Sequence, residues 1–469
     1  MTIMKLGKRA RLVAGMGLTF LLAALALPLF FTEARLEFDP NDAYWAQEQP
    51  PANPALGEDL AVDVAIVGGG YTGLSAAWHL AKADPKLKIV VLEARQVGNG
   101  ASGRHGGMVL PQTGAESFEV AWDDETHKWT YDLTVQSISN LRNFVEATGV
   151  DCDLVLNGYC HAIWDEEDLP YYTHYVARAR EMGIPLQFWD EDKTEEKLGT
   201  DRYCGAVFDP NGGQVHAMKL VKALKKGAED TGVRIYENSP VFSLQEGKSV
   251  RLTVGEAGHI VTAGAVVLAA NGFVSKLGYF KNQIMPMHAQ CASTPPLAPA
   301  QLQAIGWKSR LPFFDSRNML YHLVLTPDNR IVVGGGSAEY FAGNKTKYAG
   351  DLQAIAGLMH AELVRIYPAL KDVSFDHVWN GVLDMTFDGI EAVGVRGEHR
   401  NIYYGLGYNG HGVNLAFLFG DIIAHLYRGE EHGWRETAYA GEPLRRMPPD
   451  PYKWLGVQAV SRYYRYQDR

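Results

Sequence analysis

The sequence predicts an α/β protein, and three stretches carry that reading. Asp63-Val-Ala-Ile-Val67 is an apolar run, glycines follow it, and Leu74 to Leu80 continues as a helix. Far downstream, Asn401-Ile-Tyr-Tyr404, the turn GLGYNGHG and an apolar helical run from Val413 to Leu426 repeat the order of strand, glycine turn and helix. Ahead of both, Leu12 to Phe31 run for about twenty residues without a charge, enough to cross a bilayer core as a helix.

Composition sets the frame for these elements. A chain of 469 residues, 46% apolar and 21% charged, is globular and long enough for two or three domains. A net charge of −10 is modest at this size and argues against a nucleic-acid surface. Cys152, Cys160, Cys204 and Cys291 form no CxxC pair and no zinc-like spacing, so free thiols and no metal site are expected.

The N-terminal run has Lys5, Lys8, Arg9 and Arg11 before it and Glu33, Glu37, Asp39 and Asp42 after it. That asymmetry reads as an uncleaved single-pass anchor over residues 1–35, in contact with membrane lipid. A cleaved signal peptide ending near Thr32-Glu33-Ala34 is the alternative. The Pro-rich residues 36–60 then read as a linker.

In the first glycine loop, Gly68, Gly70 and Gly73 have GxGxxG spacing, and Ile89-Val-Val-Leu92 is a second buried strand ending at Glu93. This is the context of a Rossmann-like dinucleotide site. Gly68 makes the turn, Gly70 admits a pyrophosphate, Gly73 lets helix and strand pack closely, and Glu93 reaches the ribose hydroxyls. NAD and FAD share this fingerprint. The second loop favours FAD, whose flavin ring reaches a second helix N-terminus while its pyrophosphate meets the first.

Taken together, VAIVGGGYTGLSAAWHLAK, VVLEARQVGNGASGRHGG, VVLAANGF and GLGYNGHGVNLA resemble the D-amino acid oxidase/glycine oxidase superfamily of FAD-dependent amine oxidoreductases. Within it the gamma-glutamylputrescine oxidase-like branch is the most similar, and the resemblance covers roughly residues 60–469. It implies that Arg95 contacts the cofactor and that Val241 meets the adenine. It also implies that Ser102, Arg104, Gly106 and Gly107 line the flavin, with Gly407, Asn409, Gly410, His411 and Gly412 at its pyrimidine side. The expected layout is a discontinuous FAD domain (61–150, 201–280 and 385–440), an α+β substrate domain (151–200 and 281–384) and a C-terminal extension (441–469).

Amine oxidation on such a flavin needs orientation more than acid–base groups. The candidates for the substrate side are His105, Tyr321, His322 and Trp379. Relatives with carboxylate substrates carry a Tyr-Arg pair where this chain has Tyr321-His322. A histidine lacks the bidentate fork of arginine, so an amine or polyamine derivative fits better than an amino acid. His105 stands where similar chains have asparagine. It reads as a hydrogen-bonding replacement, with a covalent flavin link as the alternative. Cys152 to Trp164 reads as a hairpin about Asn157-Gly158. The expected function is oxidation of a C–N bond by hydride transfer to flavin N5, with electrons passing to quinone, another respiratory acceptor or O2. An NAD(P)H-dependent flavin monooxygenase and a non-catalytic anchored flavoprotein are the alternatives.

Overall fold

The computed structural model describes residues 35–112, 123–430, 433–437 and 444–468, and its strands form two eight-stranded sheets and a two-stranded ribbon. In the first sheet, Leu60–Val67 pairs in parallel with His259–Leu268 on one side and Ile89–Leu92 on the other. Ile402–Leu406 and Arg234–Tyr236 extend it in parallel on either side, and antiparallel Ala392–Arg396 forms the edge beyond Ile402–Leu406. Ile89–Leu92 is buried throughout, as a strand covered on both faces must be. One face is covered by helices Tyr71–Ala83, Ala217–Asp230 and Gly412–Arg428. The other is covered by the antiparallel strands Val241–Gln245 and Val250–Val254 with the turns around Tyr279 and Phe280.

The second sheet runs His377–Met385, Met285–Ser293, Ile331–Glu339, Tyr321–Leu325, Phe313–Asp315, Tyr159–Ile163, Gly205–Asp209, Gln187–Asp190. All its pairs are antiparallel except Phe313–Asp315 with Tyr159–Ile163. Gly205–Asp209 belongs to this sheet, although residues 201–280 were expected wholly in the FAD domain. The hairpin about Asn157-Gly158 does not form. Val155 bridges to Gln214 instead, and Tyr159–Ile163 finds both of its partners far away in sequence.

Two expectations at the N-terminus are corrected. The anchor over residues 1–35 falls on residues 1–34, outside the described residues. Among the described residues no helix is long and apolar enough to cross a membrane, so the single-pass membrane location and its lipid contact are withdrawn. Nor are residues 36–60 a free linker. Trp45 is 1% exposed, and its Nε1 donates to His105 O at 2.8 Å. The Arg104 guanidinium donates to the carbonyls of Asp39 and Pro40, and the Pro51 carbonyl accepts from buried Lys225. An aromatic pair, Tyr44-Trp45, buries too much apolar surface to stay in solvent.

Candidate active site

Both glycine loops open helices that touch. Ser75 Oγ donates to Phe417 O at 2.8 Å, and a Cβ on Gly420 would stand 2.2 Å from Ser75 Oγ and 2.6 Å from Ala76 N. Only a glycine admits this approach, and it brings the two N-termini to one place. Neither N-cap, Gly70 or His411, caps its helix with its own side chain, and Gly70, Gly410 and Gly412 at the two helix starts border the space between them. Tyr408 Oη and Thr72 Oγ1 are 2.6 Å apart and tie the two loops together.

The space is a cleft of about 1190 Å³, part of it open to solvent. Gly68, Gly70, Glu93, Ser102, His105, Val241, Gly410 and Gly412 all line it. Ser102 Oγ accepts from Tyr71 N at 2.9 Å and so stands at the first helix terminus. Glu93 accepts from Gly69 N (2.7 Å) and Arg95 N (2.9 Å). Burial raises its carboxyl above the usual range, and the two amides pull it back down.

The residues fit FAD. A Cβ on Gly68, whose φ is +110°, would meet Ala269 O at 2.4 Å, and one on Gly73 would meet Gly68 O at 1.9 Å. The tight turn and the close helix–strand packing of a dinucleotide loop are therefore both present. The cavity passes from Glu93 and Val241 across both helix termini to Asp384, as an extended dinucleotide requires.

Other expected residues act one step back from this space. Arg104 points away from it, its Nε donating to Asn99 O and its NH1 to Pro40 O and Asn380 O. Trp379, 1% exposed, donates from Nε1 to Arg104 O at 2.7 Å and pins the same loop from the second sheet. Gly107 has φ +91° and packs over Trp45. Arg95 contributes its backbone, accepting from Asn238 N. Asn409 Oδ1 accepts from Thr386 N, and His411 N donates to Tyr408 O.

His105 is tied at both ring nitrogens. Nδ1 accepts from Gly107 N at 3.0 Å, so Nε2 carries the hydrogen and donates to Tyr71 Oη at 2.8 Å; Tyr71 in turn donates to Ala217 O. Burial, reinforced by His216 and His322, pushes its pKa down to about 3. This is a neutral imidazole in a fixed tautomer.

His322 and Tyr321 part company. A Cβ on Gly106 would lie 2.0 Å from His322 Nε2 and one on Gly334 2.2 Å from its Cε1. The ring therefore rests against the loop at Gly106, and burial pushes its pKa down to about 4. Strand alternation sends Tyr321 to the opposite face, against Gly336 and under the Arg317 guanidinium 4.8 Å from its ring. The two do not form a joint clamp.

Asp384 was not foreseen. It lines the cavity and is 2% exposed. Its carboxylate accepts from Gly407 N at 2.6 Å and Tyr408 N at 3.0 Å, and burial lifts its pKa to about 7. The sequence signal was a lone acid in the apolar run Val382-Leu383-Asp384-Met385. Leu36 and Phe38 also line the cavity, Phe38 stacking on Phe273 at 5.2 Å.

This fold and cavity define a flavin enzyme, and comparison with known proteins gives its family. Residues 63–426 match the family model described as FAD dependent oxidoreductase, DAO, and the chain belongs to that family. It is 30% identical to gamma-glutamylputrescine oxidoreductase of Escherichia coli (strain K12), over 88% of this chain and 94% of that one. It is 26% identical to glycine oxidase of Geobacillus kaustophilus (strain HTA426), over 79% and 93%. The crystal structure of glycine oxidase from Geobacillus kaustophilus superposes with a TM-score of 0.70 at 22% identity, covering 83% of this chain and 99% of that one. That of L-proline dehydrogenase from P. horikoshii gives 0.68 at 21%, covering 82% and 98%. The chain is thus an FAD-dependent oxidoreductase.

Proposed function

We propose that this enzyme oxidises a C–N bond of an amine held beside the Gly106 loop, where the substrate sheet meets it. The observation that carries this reading is the contact of His322 with Gly106, which sets a side chain of the substrate sheet directly against the loop beside the cavity. When bound, FAD supplies the two-electron acceptor for a hydride leaving the carbon next to nitrogen.

The chain supplies position and field. The N-termini of the two helices face the diphosphate and the far end of the cofactor, with Ser102 Oγ at the first of them. Trp45 and Trp379, each donating to a carbonyl of the loop, keep its backbone still. His322, neutral through burial, offers one donor and one acceptor. It cannot grip a carboxylate as an arginine fork does, which favours an amine or polyamine derivative over an α-amino acid. The relatives named for gamma-glutamylputrescine and for glycine bracket these two classes.

The test is anaerobic visible spectroscopy of the FAD-loaded protein beginning at Arg35, with a panel of amines and amino acids. Bleaching by amines is expected. Bleaching by α-amino acids alone would sink the argument from His322, and bleaching by NADPH alone would indicate a monooxygenase. Admitting air or a quinone to the reduced protein then identifies the acceptor.

A further inference from the structure

Two residues of the FAD cleft come from outside the region that matches the family. Leu36 and Phe38 line the cleft together with Gly68, Gly70 and Glu93, whereas the family match begins at residue 63. They alternate with residues bonded elsewhere, as side chains of an extended segment do. Thr346 Oγ1 donates to Glu37 O at 2.8 Å and accepts from Glu37 N at 3.4 Å. The Asp39 carboxylate accepts from Tyr348 N at 3.1 Å and from Asn380 Nδ2 at 3.0 Å.

The facing wall is the turn Asn271–Leu277, which follows strand His259–Leu268. Phe273, Lys276 and Leu277 line the cleft, and Phe38 stacks on Phe273 with centroids 5.2 Å apart. Lys276 Nζ donates to Asn344 O at 2.7 Å, two residues before Thr346. Segment, turn and loop therefore form a ring of contacts along one side of the cleft. That side adjoins the site of the diphosphate, because Phe273 N donates to Ala270 O and Ala269 O lies against Gly68.

Residues 35–43 belong to neither helix nor strand. Arg35 and Glu37 are exposed, and Leu36 and Phe38 are half-buried. The firm hold comes just after them, where the Arg104 guanidinium donates to the carbonyls of Asp39 and Pro40 and Trp45 is buried. A segment with few buried contacts opens locally far more readily than a core, and a light end beside a firm hold is a flap with its hinge near Pro40.

We propose that Leu36 and Phe38 contact bound FAD, and that residues 36–39 are a flap that parts from Phe273 and Thr346 when the cofactor enters or leaves. The inference needs FAD but not C–N oxidation, so it stands or falls apart from the substrate reading.

The experiment uses the full chain and follows flavin fluorescence in two directions: release of FAD from the holoenzyme after dilution, and uptake of FAD by the apoprotein. Phe38→Ala removes the ring stack, and Thr346→Val removes both bonds to Glu37 at nearly constant volume. Each is expected to speed release about tenfold, as the loss of one net hydrogen bond or ring contact provides, and to speed uptake as well. Faster uptake is the telling sign, because a variant that is merely less stable gains no speed in binding. Thr346→Val carries the test if Phe38→Ala does not fold. Release at the wild-type rate in both variants would overturn the contact with FAD, and faster release with unchanged uptake would overturn the flap.

Discussion

Asp384 holds the second glycine turn by its two amides, and its proton is the residue-scale lever on this fold. Burial outweighs both hydrogen bonds and lifts its pKa to about 7, against about 3.9 for an unfolded aspartate. The folded chain thus binds this proton more tightly than the unfolded one. The associated stability is fully present below the unfolded value and is lost as pH rises through about 7. Asp384→Asn has no such proton, so the loss between about pH 4 and pH 7 should flatten. Urea midpoints measured across that range check it; a variant with the wild-type slope would remove Asp384 from the account. His105 yields a second residue-scale expectation. Both ring nitrogens are engaged inside the protein, leaving neither for a bond to the flavin. Acid precipitation should release the yellow cofactor into the supernatant, and colour retained in the pellet would contradict the assigned tautomer.

At the scale of elements, function depends on two helices pressed together so that their N-termini converge. Alanine at position 420 would gain helix propensity, about 0.5–1 kcal/mol, but its Cβ would meet Ser75 Oγ at 2.2 Å and backbone Ala76 N at 2.6 Å. Separating the helices is expected to cost about 1–3 kcal/mol, so the clash wins. Gly420→Ala should lower the urea midpoint and weaken FAD binding about tenfold, read by flavin fluorescence titration; unaltered FAD affinity would show that convergence is not what positions the cofactor. Local order made this convergence readable in advance. Strand, glycine spacing and helix lie together in the chain around Gly68 and again around Gly407, and GxGxxG geometry is set by neighbours. What hid from the sequence depends on contacts distant in the chain. Asp384 meets Gly407 across the join between the two domains, and Tyr159–Ile163 pairs with Gly205–Asp209 and Phe313–Asp315 rather than with a hairpin partner. The separation of Tyr321 from His322 follows from period-two alternation, but which of them faces the flavin loop depends on the register with Gly334.

At the scale of the molecule, residues 36–48 are a strap across both domains. The Glu37 carbonyl accepts from Thr346, and the Asp39 side chain accepts from Tyr348 N and Asn380 Nδ2 on the substrate side. The Asp39 and Pro40 carbonyls accept from Arg104 beneath the flavin loop, and Trp45 supports His105 from below. Composition suggested a linker because a Pro-rich stretch follows the pair Tyr44-Trp45, yet the two aromatics are buried and help to seat the segment. Trp45→Ala removes a large buried ring and should cost about 3–5 kcal/mol. Trp45→Phe keeps most of the volume but leaves the His105 carbonyl without its donor, a loss of about 1–3 kcal/mol. Urea unfolding and FAD titration on both variants separate packing from the hydrogen bond. If the strap steadies the flavin loop, Trp45→Phe weakens FAD binding more than its stability loss alone would, because His105 O lies in the loop itself. If FAD affinity instead falls in proportion to stability in both variants, the strap holds the domains together and the loop keeps its shape without it.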